Sequence, residues 1–362
     1  MPKRVGNLWV KVCSLENCIQ ASLLVEKNHN GNLEDEQVID RVFRRAENAH
    51  RDLKEKTWVG QDFKVRTIYD GHRKKERDLR IPTLYDQTVH HSIMNVLQVE
   101  ILKRNYHYNC GSIPKAGQSR ACDGLKKYLK EGHYKYAFQW DIRHFYENVT
   151  HEGILSAFKR FIKDPEMLWG ISAILDSMLL EEERSEEVVH RLAIGFNPAH
   201  WFANTVLNRI LNLLRAKCSN YKNVQYMDDG VMLSNNKRDL HKLCDTLQSI
   251  LTLFGLYLKP NYQIYKIKGR GIRYLSYVFH HTYSVVRKYL LYRISKVVRH
   301  GVKLTEHYCM SILSYLGILK HCNSYNLRKN LIYVKYKVCK LKEVVSNGAK
   351  FRNSLQRRAV TV

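Results

Sequence analysis

The fold is decided by residues 224–233, which read Val-Gln-Tyr-Met-Asp-Asp-Gly-Val-Met-Leu. Hydrophobic residues on both sides of Asp-Asp-Gly predict two short strands joined by a tight turn. Such a turn projects Asp228 and Asp229 from the end of a sheet. An isolated Asp-Asp-Gly turn is usually no more than a turn, so its meaning depends on the order and spacing of other segments.

A second segment that ends in a carboxylate lies upstream. Residues 134–141 form a β-rich run whose last residue is Asp141, and strand ends can bring this side chain to the hairpin. Hydrophobic residues at helical intervals over 153–162, 198–215 and 238–254 predict helices that cover one face of the sheet. We therefore predict an α+β fold with an antiparallel sheet.

The composition indicates a globular protein with a polyanionic partner. The chain has 362 residues, of which 44% are hydrophobic and 11% aromatic, enough to bury a sizeable core. Its 60 lysines and arginines exceed its 34 acidic residues, which gives a formal charge of +26. After Asp245 the only acidic residues are Glu306 and Glu343. This asymmetry favours nucleic acid as the partner.

Several other classes of protein are disfavoured. The nine cysteines include no Cys-x-x-Cys pair, which predicts reduced core thiols rather than a zinc site or a disulfide framework. No signal-peptide pattern and no stretch long enough to span a bilayer is present, so we predict a cytoplasmic protein without a membrane partner. The pairs His90-His91 and His280-His281 lack a matching cluster at zinc-ligand spacing, and structural or RNA-contacting roles are favoured.

Residues 75–82 read Lys-Glu-Arg-Asp-Leu-Arg-Ile-Pro, and Asp86 follows at the spacing of a known polymerase motif. Together with the segments below, over about residues 65–330, the chain resembles the bacterial reverse transcriptases. This group includes retron, group II intron, diversity-generating and phage-defence enzymes. The resemblance implies that Lys75 and Arg77 contact the nucleoside triphosphate.

Segments of this chain resemble the palm motifs of that family and occur in the same order. Residues 141–146 read Asp-Ile-Arg-His-Phe-Tyr and resemble the first motif, and the Tyr-Met-Asp-Asp turn is the next intact signature. The resemblance makes Asp141, Asp228 and Asp229 catalytic, and with the carbonyl group of Ile142 they would bind two Mg²⁺ ions, with Mn²⁺ as an alternative. Two such ions lower the pKa of the primer 3′ hydroxyl and neutralise the leaving pyrophosphate.

The resemblance also describes the nucleotide pocket. Tyr146 would lie under the sugar, where its ring excludes a ribose 2′ hydroxyl. Residues 194–204 match another palm motif in length, with Gly195 beside the nucleotide. At Ala199-His200, however, relatives have Ser-Pro or Ser-Gln. This departure argues against a diversity-generating enzyme, whose pattern is Ser-Gln.

The remaining motifs lie downstream of the hairpin. A Gly-Leu-Tyr-Leu-Lys segment ends at Lys259 and resembles the motif whose lysine lies near the pyrophosphate, although Lys266 and Lys268 are alternatives. Tyr274 and Leu275 begin a segment that resembles the primer grip. The last segment of the resemblance is similar to the thumb of smaller family members.

These motifs imply a right-hand polymerase fold. We predict an N-terminal extension and fingers over 1–133, a palm with the catalytic hairpin and primer grip over 134–285, and a basic helical thumb over 286–362. The implied activity is that of an RNA-directed DNA polymerase, a nucleotidyltransferase that makes cDNA from dNTPs.

The biological role has four alternatives. We favour an enzyme that copies a dedicated, cognate non-coding RNA in anti-phage defence. A diversity-generating retroelement enzyme, an untemplated DNA polymerase of the abortive-infection type and a non-catalytic RNA-binding scaffold remain open. The oligomeric state does not follow from the sequence.

Overall fold

The computed structural model of the chain describes residues 4–29, 31, 33–70, 75–300 and 304–347. Within these ranges the helices accompany three antiparallel sheets, of two, four and three strands. This confirms the predicted α+β class. No helix in the described ranges has both the length and the apolar character needed to cross a bilayer.

Four helices and a two-stranded ribbon come first in the chain: α1 (Trp9–Val12), α2 (Leu15–Asn28), α3 (Glu36–Glu55), β1 (Lys64–Asp70), β2 (Lys75–Ile81) and α4 (Leu84–Arg104). Polar side chains start three of these helices, since Ser14, Asp35 and Thr83 each accept a backbone N–H of the first turn. The ribbon is attached to the body through Arg80, whose N–H donates to Ile194 O at 2.8 Å.

The strands of the central sheet are β3 (Tyr136–Asp141), β4 (Lys222–Tyr226), β5 (Asp229–Ser234) and β6 (Gln263–Lys266). They lie in the order β4-β5-β3-β6. The predicted hairpin is confirmed, because β4 and β5 pair in register from Tyr226↔Asp229 onward. Strand β3 is the other neighbour of β5, so its last residue reaches the same end of the sheet as the hairpin turn.

Helices and a second sheet bury the two faces of the central sheet. The helices of this region are α5 (Gly117–Gly132), α6 (Phe145–Asn148), α7 (His151–Lys159), α8 (Pro165–Asp176), α9 (Glu181–Arg184), α10 (Asn197–Lys217) and α11 (Lys237–Thr252). Phe138 and Trp140 point into the main core with α7, α10 and α11, as the hydrophobic pattern predicts. Ala137 and Val231 face a second core that includes Leu125 of α5.

A three-stranded sheet and a helical segment complete the described chain. The elements are β7 (Ile272–Tyr274), β8 (Tyr277–Phe279), β9 (Ser284–Val286), α12 (Lys288–His300), α13 (Glu306–Leu319), α14 (Tyr325–Arg328) and a π-helical turn (Lys329–Tyr333), followed by helical residues 338–347. Leu290, Ile294 and Ile312 belong to a separate core in this segment.

Candidate active site

The structure brings the three predicted carboxylates to one end of the central sheet. Asp141, the last residue of β3, is the cross-strand partner of Asp229, the first residue of β5. The N–H of Ile142 donates to the carbonyl oxygen of Asp228 at 3.1 Å, which ties the end of β3 to the hairpin turn. Residues far apart in sequence therefore meet because an antiparallel register places two strand ends side by side.

The hairpin turn depends on an unfavourable backbone conformation at Met227, whose φ is 54°. A residue other than glycine in this left-handed region has a conformational cost, so neighbouring contacts must hold it. The side-chain amide of buried Gln225 donates to Met227 O at 2.8 Å. Gly111 lies against the same residue, because a Cβ there would come within 2.4 Å of Met227 Cγ. Gly111 thus leaves room for the hairpin turn.

Lys259 is the lysine that the structure places in the site. Its Nζ lies 2.6 Å from Asp141 Oδ2, and its backbone N–H donates to Asp141 O at 2.8 Å. Lys266 pairs with Tyr136 at the opposite end of β3, and Lys268 follows it on the surface. Of the three lysines that the sequence offers, Lys259 is therefore the one that contacts a predicted catalytic carboxylate.

An open cavity of about 640 Å³ adjoins the carboxylates. Besides the three aspartates, its lining includes four residues that the sequence predicts for nucleotide or primer contact: Arg77, Tyr146, Gly195 and Leu275. Tyr274, the other predicted primer-grip residue, is fully buried and donates its hydroxyl to Asp229 O at 3.3 Å. The side chain of Lys75 lies outside the described part of the chain.

Tyr146 is held beside the hairpin as a neutral phenol. Burial and the nearby negative charge of Asp228 raise the pKa of Tyr146 well above its ordinary value, while Arg77 opposes the shift. The backbone carbonyl of Tyr146 accepts the N–H of Leu192 at 2.6 Å. The main chain that carries the ring is therefore tied to the segment before Gly195.

Gly195 is required by close packing as well as by backbone conformation. Its φ is +112°, and a Cβ would lie 2.2 Å from Arg80 O in strand β2. The same Arg80 forms a buried, bidentate ion pair with Glu183, with distances of 2.6 and 2.7 Å. Arg80 thus joins the ribbon both to the cavity wall at Gly195 and to Glu183, an ion pair that the sequence did not reveal.

Ala199 and His200, which differ from the family pattern, lie at the start of α10 and line the cavity. Ala199 is buried, and the His200 ring packs 5.2 Å from the ring of Trp201. Burial lowers the pKa of His200 to about 4, so its imidazole is neutral near pH 7. Asn204 donates to both His200 O and Gly111 O at 3.0 Å, which links this helix to the loop beside the hairpin.

Other cavity residues were not identified as site residues from the sequence: Gln118, Arg273, Arg287 and Tyr289. Arg287 is the best anchored of these, because its N–H donates to Ser276 O at 3.0 Å and its guanidinium to Leu275 O at 3.3 Å. The basic composition after residue 286 was a general signal for this wall, but it does not single out one arginine.

The histidine pairs differ in their surroundings. His90 is buried against Trp58 and Phe196, and burial lowers its pKa to about 3, which fits a structural role. His280 and His281 line a second cavity, which shares none of its described lining residues with the cavity at the carboxylates.

The donor groups suit Mg²⁺ when substrate completes the coordination. Within the described ranges, no three His, Cys, Asp or Glu side chains are arranged to bind one ion unaided. Mg²⁺ is usually held by one or two carboxylates together with substrate phosphates and water, so an all-protein cage is not expected. Asp141 Oδ1 is buried without a hydrogen-bond partner in the described chain, which is the state of an oxygen suited to a cation.

Adjacent carboxylates on a hairpin, with a third on the neighbouring antiparallel strand, define a nucleic-acid polymerase of the right-hand class. The family model described as "Reverse transcriptase (RNA-dependent DNA polymerase)" matches residues 72–279, more than half of the chain. The chain therefore belongs to the reverse transcriptase family. This confirms the predicted enzyme class, an RNA-directed DNA polymerase and hence a nucleotidyltransferase.

Solved structures of low sequence identity are similar to this chain. The apo telomerase of Candida tropicalis superposes with a TM-score of 0.51 and 10% identity, covering 82% of this chain and 59% of that chain. The telomerase of Candida albicans in complex with the TWJ fragment of telomeric RNA gives 0.48 and 8%, with the same coverage of 82% and 59%. The chain thus spans little more than half the length of these telomerases. Curated protein sequences show no significant match.

Proposed function

We propose that this protein synthesises DNA on an RNA template by two-metal nucleotidyl transfer. The observation that carries the proposal is the register Asp141↔Asp229, which sets the two carboxylates side by side next to the turn that contains Asp228. An open cavity beside them supplies room for a primer end and a nucleotide. We place the fingers in residues 1–133, the palm in 134–285 and the thumb in 286–362.

In this proposal the three aspartates and the carbonyl group of Ile142 hold two Mg²⁺ ions, and Mn²⁺ can replace them. The bound ions would supply activation of the primer hydroxyl and neutralisation of the leaving pyrophosphate. Lys259 contributes a further positive charge beside Asp141. Its flexible side chain can turn from that carboxylate toward the triphosphate, which carries more negative charge.

The chain's other residues bind and orient the substrates. Lys75 and Arg77 contact the triphosphate, and Gly195 lets the backbone approach the nucleotide. Tyr146 lies under the sugar and excludes a 2′ hydroxyl by steric overlap, which gives selectivity without an attractive contact. Arg77, Gly195 and Tyr146 line one cavity, which supports this assignment.

Tyr274 and Leu275 form the primer grip in this proposal. Leu275 lines the cleft at the β7–β8 turn, with a φ of 51°. Tyr274 does not reach the cleft in this proposal. Its hydroxyl donates to the backbone carbonyl of Asp229 and so connects the primer grip to strand β5.

For the biological role we propose a bacterial, phage-defence enzyme that copies a cognate non-coding RNA in the cytoplasm. The basic C-terminal third and the Ala199-His200 departure support a specialised template. A diversity-generating enzyme, an untemplated abortive-infection polymerase and an RNA-binding scaffold are the competing roles.

Primer extension tests the activity directly. With an annealed RNA template, a DNA primer, dNTPs and Mg²⁺, we expect extension to the template end, and none after chelation of the metal. Equal synthesis without template would favour the untemplated polymerase. Sequencing the nucleic acid that copurifies with the protein then reports the template, because one structured RNA species is expected in the defence role.

A further inference from the structure

A second cavity, of about 510 Å³, lies where three segments of the chain meet. The segments are the end of α5, the β8–β9 turn and the residues after α13, and the lining includes Lys126, Lys130, His133, His280, His321 and Lys320. Among the described residues, none that line this cavity is acidic. Its volume is within the range of small-molecule sites.

Hydrogen bonds between the three segments hold the walls of this cavity in place. Lys126 Nζ donates to His321 O at 2.6 Å, and His281 donates to Tyr134 O at 2.8 Å. The backbone N–H of Ser284 donates to Asn323 Oδ1 at 2.9 Å. The basic groups are thus brought together by the fold, so a ligand need not order the walls on binding.

The cavity is separate from the polymerisation cleft. His281 contacts Tyr134, just before strand β3, whereas Asp141 is the last residue of that strand. At the usual rise per residue of a β-strand, these two points are roughly 20 Å apart. A nucleotide in the cleft therefore does not occupy the second cavity.

The ligand chemistry is set by charge and by one exposed ring. Because no acidic residue in the described ranges lines the cavity, its lysine and histidine side chains are suited to bind phosphate oxygens. Tyr283 stacks on His280 with ring centroids 4.5 Å apart and planes at 20°, yet 48% of Tyr283 is exposed. A base can stack on such a ring, as in single-strand binding proteins. The buried hydroxyl of Ser284, also in the lining, has no hydrogen-bond partner in the described chain.

The geometry points to a second nucleotide-binding site, in which Lys130 and Lys320 contact phosphate and Tyr283 stacks on a base. The ligand is either a nucleotide unit of a single RNA strand or a free nucleotide, since both carry the same groups. This site does not depend on DNA synthesis, because it shares no lining residue with the catalytic cavity.

Lysines near helix ends also stabilise helices, so the test must separate binding from stability. We would compare Lys130→Ala with Lys320→Ala as a double variant against Lys127→Ala with Lys242→Ala, which removes the same charge at exposed positions outside the cavity. Binding of a short 5′-phosphorylated RNA would be measured against salt concentration. Each phosphate contact on a single strand contributes about 0.7 to the slope, so the cavity variant should lose roughly 1.4. Thermal melting checks that both variants fold.

Photo-crosslinking locates the ligand. RNA with 4-thiouridine should crosslink within residues 280–284, and Tyr283→Ala should weaken binding roughly 5- to 150-fold while Tyr283→Phe keeps it. A photoreactive adenosine monophosphate tests the free nucleotide in parallel, and labelling by either probe supports the site. Labelling by neither probe at 280–284 would overturn the proposal, as would a folded cavity variant in which both the salt slope and the labelling by the adenosine monophosphate probe are unchanged. Primer extension is expected to persist in the Lys130→Ala, Lys320→Ala variant. Failure of the second nucleotide site is therefore distinguishable from failure of the proposed polymerase activity.

Discussion

The ammonium group of Lys259 lies 2.6 Å from Oδ2 of Asp141, although the two residues are 118 positions apart. Both side chains are more than a third exposed, at 39% and 37%, so the pair faces the solvent-filled cleft rather than the core. An exposed ion pair of this kind contributes little to stability. The proposed role of Lys259 depends instead on its position next to the carboxylates.

Lys259→Ala should therefore reduce the rate of nucleotide incorporation by roughly 100-fold, because a positive charge near the triphosphate is lost. Single-turnover incorporation of one dNTP measures the effect. Lys266→Ala is the matched control, since this lysine lies at the other end of β3 and should keep the parental rate. Equal rates in the two variants would remove Lys259 from the site.

Asp228→Asn should lower the rate of DNA synthesis by more than about 100-fold. Its RNA affinity and thermal stability should remain near those of the parent. Mutation of a residue that only hydrogen-bonds to a metal ligand typically lowers metal affinity or activity 10- to 100-fold. Loss of the charge on a metal ligand itself should cost more. Asp245→Asn, on the exposed side of α11, controls for the change in net charge. Primer extension in Mg²⁺ and in Mn²⁺ is the measurement, and full activity of Asp228→Asn would refute the assigned mechanism.

Tyr146→Ala should permit incorporation of ribonucleotides, because the ring no longer occupies the space of the 2′ hydroxyl. Tyr146→Phe keeps the ring and should keep the discrimination. Extension rates with dNTPs and rNTPs decide the matter. Parental enzyme that uses both substrates equally would show that Tyr146 does not select the sugar.

Ala199→Ser combined with His200→Gln tests the departure at the start of α10. If neutral His200 contacts a base edge, its replacement should broaden nucleotide use by roughly 5- to 150-fold, the range of one such contact. Single-nucleotide incorporation on four homopolymer templates provides the comparison. Identical preferences in variant and parent would assign both side chains to packing of the helix start.

His90 should make the fold labile to acid. Its pKa is lowered from 6.5 to about 3, so the unfolded chain binds a proton that the folded chain does not between these values. Stability from this group is present above pH 6.5 and falls as the pH decreases, by about 2 kcal/mol between pH 7 and pH 5. His90→Gln should reduce this loss in urea titrations, whereas exposed His241→Gln should not. The same acid sensitivity in both variants would contradict the assignment.

Local patterns predicted much of the fold. The β4–β5 hairpin followed from hydrophobic runs around Asp-Asp-Gly, and the helices at α7, α10 and α11 followed from hydrophobic spacing. These elements are recoverable because their signals lie within a few residues. The sequence did not reveal the Arg80–Glu183 ion pair, which joins residues 103 positions apart. Nothing in either local segment identifies the other.

The sequence by itself determined the identity of the three carboxylates, since their order and spacing match a family signature. Only the tertiary structure decided which lysine joins them, because Lys259 reaches Asp141 through backbone pairing of its segment with the end of β3. It also showed that Tyr274 supports the catalytic strand from a buried position instead of lining the cleft. Such contacts depend on the register between distant strands, and a shift of one residue would turn every side chain to the opposite face.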